Sequence, residues 1–236
     1  LKFYFDPNFY FKVKFFLTKD DSYHLNKDGV FLFFLIIVAL FILNFFSIDF
    51  PNHKLDSYHD GQRLSSAYKS LLDGSLWSGS YVTVGIFYET LAAKFIWQIF
   101  DTISIGLSRY TEIISIFLLK FCLIVLSFCL TKFIYLEKFY KQVFFLINSF
   151  IFLSLSDYDI SSIDLITFRE LPIIILLILF TYLLTKKNQT LVLFLIAFLG
   201  VLSFLWGIDR GLIYNLITIV ILLYLFFIKE YKNILI

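Results

Sequence analysis

The sequence predicts an all-α protein: a polytopic integral membrane helix bundle with about six membrane segments and interfacial amphipathic helices in its first outer loop. Three observations carry that expectation. Of 236 residues, 60% are hydrophobic and 16% charged, and the mean hydropathy is +0.85; roughly a quarter of an ordinary soluble domain is charged. Several apolar runs reach about the 20 residues that a helix needs to cross the hydrocarbon core. The remaining charges sort by side, lysines in one set of connections and acids in the other.

The first 28 residues mix aromatics with five lysines and lack a small-residue cleavage site after the first apolar run. They read as a cytoplasmic juxtamembrane segment rather than a signal peptide. Residues 29–236 form the transmembrane domain. Gly29 to Ile48 is uncharged for 20 residues and predicts the first span. The outer loop, 49–112, contains a helical pattern over Gly61 to Asp73, with Leu64, Ala67, Tyr68, Leu71 and Leu72 three and four apart. Gln62, Arg63, Ser66, Lys69, Ser70 and Asp73 occupy its other face, so the helix is expected to lie in the interface with its apolar side toward lipid. Ser75 to Gly79 supplies a turn with an interfacial Trp77. Val84 to Phe100 is also helical in pattern but carries Glu89, Lys94 and Gln98, too polar for a lipid-facing span; it is expected at the same interface or against the bundle.

Ile113 to Thr131 is interrupted only by Lys120, whose long stem can snorkel or turn inward. Gln142 to Ser156 and Leu171 to Thr185 hold only 15 uncharged residues each. They span by recruiting flanking residues or thinning the bilayer, or else form a re-entrant pair. Asn188 to Ile208 and Gly211 to Ile228 complete the set, giving spans near 29–48, 113–131, 142–156, 171–185, 188–208 and 211–228. The chain contains no Met and opens on Leu1, from which a fragment of a longer protein is expected.

With the amino terminus inside, the inner segments hold 12 basic and six acidic residues, and the outer segments seven basic and 12 acidic. That asymmetry follows the positive-inside rule and predicts an integral protein of a bacterial inner or plasma membrane with a cytoplasmic amino terminus. A crossing by Val84 to Phe100 would put the later basic loops outside. The bilayer itself is thus the first expected partner. A net charge of +2 without a basic patch argues against nucleic acid. Cys122 and Cys129 are about two helical turns apart, on the order of 10 Å, too far for a disulfide. With His24, His53 and His59 they show no metal-ligand spacing, so no metal site is assigned.

In this topology three polar clusters reach the outer face. The first is Asp56-Ser57-Tyr58-His59-Asp60-Gly61-Gln62-Arg63. The second holds Asp157, Asp159, Asp164 and Arg169-Glu170, and the third is Trp206-Gly207-Ile208-Asp209-Arg210-Gly211. Each also has a structural role open to it. Asp60 suits a helix N-cap, Arg169-Glu170 before Leu171-Pro172 suits a helix start, and Asp209-Arg210 between two glycines suits a charged turn. Asn44, Asn148 and Asn215 lie in apolar segments, where asparagine joins helices by hydrogen bonds.

The stretch from Asp60 to Trp77, DGQRLSSAYKSLLDGSLW, resembles the first outer loop of polytopic glycosyltransferases of the GT-C type: an acid soon after the first span, an amphipathic helix with small residues, then a Gly and an aromatic. It departs from them in having His59 and Gly61, not a second acid, beside Asp60. The resemblance implies transfer of a sugar from a polyprenyl-phosphate donor to an acceptor at the outer face, with the lipid-linked donor as partner. It makes Asp60 the catalytic carboxylate, with His59 beside it as the second catalytic candidate. Cofactor use stays open, a divalent metal at the carboxylate being one alternative. Such chemistry needs a carboxylate to take the acceptor proton and positive charge for the departing phosphate. Arg210 is the candidate phosphate contact, with Arg169 and Asp209 as further substrate-binding candidates. Two other readings remain: a carrier or flippase for a lipid-linked or amphipathic substrate with Lys120, Asn148 and Arg210 along its path, and a structural subunit without chemistry.

Overall fold

A computed structural model describes residues 27–46, 59–74, 85–131, 138–154, 168–184 and 189–227. Among the described residues every regular element is helical. The elements are α1 (Lys27–Phe46), α2 (His59–Asp73), a π-turn (Phe87–Leu91) running into α3 (Ala92–Phe100), α4 (Ile105–Leu130), α5 (Lys138–Ser154), a 3-10 turn (Phe168–Glu170) leading into α6 (Leu171–Leu183), α7 (Gln189–Trp206) and α8 (Ile208–Phe227). The amino-terminal segment before Lys27, the Ser75 to Gly79 turn and the acidic run Asp157 to Asp164 lie outside the described residues.

Each apolar segment of the sequence carries a helix. Ile105–Leu130 and Ile208–Phe226 are long and apolar enough to cross a membrane; Gly29–Phe45, Phe139–Ser154, Leu171–Leu183 and Thr190–Trp206 are shorter apolar helices. The burial pattern of α1 shows what such helices need. Ile36, Leu40 and Asn44, four apart, form its buried stripe, while Phe31, Phe34, Leu35, Val38, Phe41, Ile42 and Leu43 stay exposed. A helix apolar all round with one face covered requires an apolar surrounding on the other. The same division recurs in α8, with Tyr214, Ile221 and Leu225 inside and Leu216, Ile219, Val220 and Leu223 outside.

The helices pack in two groups joined through α4 and α6. Asn44 Nδ2 donates to the Ile113 carbonyl at 3.2 Å, and the Phe33 ring packs tilted against that of Phe128, so α1 and α4 run antiparallel. Ile124 and Phe145 join α4 to α5. Leu119, Leu123 and Ile174 join α4 to α6. In the second group Leu176 and Leu183 of α6, Val192 and Ile196 of α7, and Tyr214, Ile221 and Leu225 of α8 make one core. Close approach and hydrogen bonds join the helices of this core. The α7–α8 hairpin shows both. A Cβ on Gly211 would lie 2.7 Å from the Phe204 ring, and one on Gly200 2.9 Å from Asn215 Oδ1. Tyr214 Oη donates to the Ile196 carbonyl at 2.9 Å, and Asn215 Nδ2 to those of Gly200 and Gly211.

Two expectations change in detail. Asn44 and Asn215 join helices, but Asn148 donates back to the Phe144 carbonyl of its own helix. Ser66 and Ser70, assigned to the polar face of α2, are buried, because α2 packs on the π-turn and α3 through Ala67, Ala93, Ile96 and Trp97. Tyr68 and Leu72 are the apolar residues left exposed. Lys120 has turned inward and is buried beside Leu119.

Candidate functional site

The starts of α6 and α8 meet at one end of the bundle. Pro172 stands in the first turn of α6, where a missing N–H costs no helical bond. Asp209 lies in the first turn of α8, at the positive end of the helix dipole. Between α7 and α8 the chain turns through Gly207, whose N–H donates to the Ser203 carbonyl and whose carbonyl accepts from Gly211.

This brings two charged dipeptides of opposite order face to face. Arg169 Nη2 donates to Asp209 Oδ2 at 2.7 Å, and Arg210 Nη2 stands 2.7 Å from Glu170 Oε1. The second pair is the less exposed, with side-chain exposures of 25% for Arg210 and 19% for Glu170. Arg210 Nε is 3.8 Å from Asp209 Oδ2, too long for a hydrogen bond. That Nε is buried and has no acceptor among the described residues. The four side chains sum to zero charge, so the guanidinium groups are held by carboxylates. Burial pushes the Glu170 carboxyl up from its ordinary value; Arg210 and then Arg169 pull it down, and Asp209 adds to the rise.

The π-turn and α3, with α2 packed on them, dock beside this cluster. A Cβ on Gly85 would overlap the Trp206 carbonyl and come within 2.8 Å of the Gly207 nitrogen, so the chain passes against the α7–α8 turn with backbone touching backbone. Phe87, two residues on, packs on the Trp206 ring at 5.9 Å between centroids. The π-turn that follows carries Thr90, whose hydroxyl shares a 2.6 Å hydrogen bond with Ser66. Lys94 Nζ donates to the carbonyl and Oγ of Ser70. Both links join residues 24 apart, so α2 and the 86–100 helix run parallel in one register.

Of the expected site residues, Arg169, Asp209 and Arg210 come together. His59 and Asp60 open α2, so Asp60 occupies its first turn rather than the capping position; both side chains lie outside the described residues. Two participants were not anticipated. Glu170 is the closest partner of Arg210, and the signal was the complementary order of Arg-Glu and Asp-Arg at two helix starts. Gly85 sets the loop on the turn, and a lone glycine between Val84 and Ile86 gave little notice of it. Among the described residues no three His, Cys, Asp or Glu side chains gather as a metal site. Comparison with protein-family models, curated proteins and solved structures finds no match to this chain.

Proposed function

We propose that the chain is a polytopic membrane protein that transfers a sugar from a polyprenyl-phosphate donor to an acceptor at the outer membrane face. In this reading α1 and α4 to α8 all enter the bilayer, with the lysine-rich connections inside and α2, the π-turn and α3 outside. The brevity of α6 fits its place: at 13 residues it is about 20 Å long, but it packs on α4, α7 and α8, so protein rather than lipid covers its ends.

The observation that carries the enzymatic reading is the pair of arginines at two adjoining helix starts, next to the contact of Gly85 with the α7–α8 turn; the reading adds Asp60 and His59, which open α2. Attack of an acceptor hydroxyl on the anomeric carbon forms one C–O bond and breaks the bond to phosphate. Asp60 takes the hydroxyl proton, and the departing phosphate carries the electron pair to Arg210, whose fork suits phosphate oxygens. Arg169 supports the same charge, and the acids hold both guanidinium groups in place between turnovers.

A transfer assay on the full-length protein tests this. Asp60→Asn is expected to lower turnover by at least about 100-fold while membrane insertion is unchanged; full turnover in that variant removes Asp60 from the mechanism. The carrier reading is favoured by Lys120, 7% exposed within an apolar helix, since an ionisable residue at such depth often marks a transport path. Under that reading Lys120→Met abolishes movement of a labelled lipid-linked substrate across proteoliposomes, and Asp60→Asn does not.

A further inference from the structure

We infer that Glu170 is a placeholder for an anionic phosphodiester, occupying the position on Arg210 that the ligand takes over. The inference rests on the sugar-transferase reading for the identity of that ligand, and the geometry supplies the rest. Arg210 offers a guanidinium fork whose two parallel N–H groups are unequally engaged: Nη2 meets Glu170 Oε1 at 2.7 Å, while Nε is buried, with the Asp209 carboxylate no closer than 3.8 Å and no hydrogen-bond acceptor among the described residues. A carboxylate and a phosphate both accept two parallel N–H bonds from such a fork. A bidentate anion in place of the singly engaged Glu170 would satisfy the orphaned Nε and recover a bond that the resting arrangement forgoes.

The surroundings favour exchange over a permanent bridge. Asp209 is 49% exposed and Arg169 30% exposed, so water and ligand reach the cluster from the side of that pair. Two helix starts converge here, and their positive ends add to the attraction for a negative group. With its four charges balanced, the resting cluster draws no ion strongly; displacing Glu170 uncovers the positive charge at the moment the anion arrives. Glu170 therefore acts through Arg210 and is a positioning residue.

The test measures binding of farnesyl methyl phosphate to the full-length protein in detergent micelles, with dimethyl phosphate and farnesol as the headgroup-only and tail-only probes. Glu170→Gln keeps the shape and removes the competing charge, so affinity for the farnesyl diester is expected to rise about tenfold. Glu170→Asp, which retains a carboxylate, is expected to stay within about twofold of the parent, and Arg210→Gln to lose binding. A parallel gain for dimethyl phosphate would identify the recognised group as phosphate from any source; a gain confined to the farnesyl diester identifies a lipid headgroup. Unchanged or weaker binding in Glu170→Gln, with helicity and thermal transition like the parent, overturns the inference, as does equal tightening of farnesol. Tightening in a protein that transfers no sugar leaves Glu170 as the placeholder and removes the transferase reading. Transfer activity with no tightening does the reverse.

Discussion

Gly85 lies against the carbonyl of Trp206 with no room between them for a methyl group. The obstacle is backbone on both sides, so no rotamer change can relieve it. Gly85→Ala is expected to push the π-turn and α3 away from the α7–α8 turn, at a cost of about 1–3 kcal/mol. Thermal unfolding in detergent should show the loss, and faster proteolysis between α1 and α4 should locate it. A variant as stable as the parent, with an equally protected loop, would show that the contact can be surrendered.

The two ion pairs at the start of α6 should differ in strength. Arg169 and Asp209 are partly solvated, and exposed pairs contribute about 0–1 kcal/mol. Arg210 and Glu170 are better covered and charge-assisted, so their coupling is expected on the order of 1–2 kcal/mol. Double-mutant cycles with Arg169→Gln and Asp209→Asn, and with Arg210→Gln and Glu170→Gln, measure the two values. The prediction fails if the exposed pair proves the stronger.

Glu170 also sets a pH dependence. Its carboxyl is raised by burial in the folded chain, whereas an unperturbed Glu titrates near about 4.3. A raised acid binds its proton more tightly in the folded state, so its stabilising contribution is full below the ordinary value and is lost as pH rises through the folded one. Between those values the parent should lose stability with rising pH relative to Glu170→Gln, in which this term is absent. Identical pH profiles for the two proteins would refute the assignment.

Tyr214 joins α8 to α7 through a buried hydroxyl at 2.9 Å from the Ile196 carbonyl. Tyr214→Phe keeps the ring and removes the bond, at an expected cost of about 0.6–1 kcal/mol. Asn215→Leu, which deletes the bonds to Gly200 and Gly211 and adds bulk where Gly200 leaves little space, should cost more. Reversible unfolding in mixed micelles would rank the two.

The helical class was legible because hydropathy reports on a single property of a continuous segment. The boundaries were less so. Ile113 looked like the start of a span because Arg109 and Glu112 precede it, yet α4 begins at Ile105, where the side chain of Ser104 caps the helix by accepting from the Leu107 N–H. Likewise α5 starts at Lys138 and carries Lys141 to a buried position, which a window seeking uncharged residues passes over. Ser66 and Ser70 looked solvated because amphipathic pattern distinguishes polar from apolar, not lipid from a neighbouring helix that offers Thr90 and Lys94. In the site, Arg169, Asp209 and Arg210 were visible as charges flanking apolar runs. Their pairing was not, since it depends on α6 and α8 starting at one level, a relation between segments that no local window contains.

The π-turn at Phe87–Leu91 fixes more than local shape. Each residue of a helix turns the chain by about 100°. One residue fewer between Gly85 and Thr90 would therefore swing Gly85 a quarter-turn or more away from Trp206, while the hydroxyl link at Thr90 and the lysine link at Lys94 kept α3 seated on α2. The number of residues in this stretch is thus as constrained as their identity: it phases two docking surfaces on one rod, and single-residue insertions or deletions here should be tolerated far less well than substitutions.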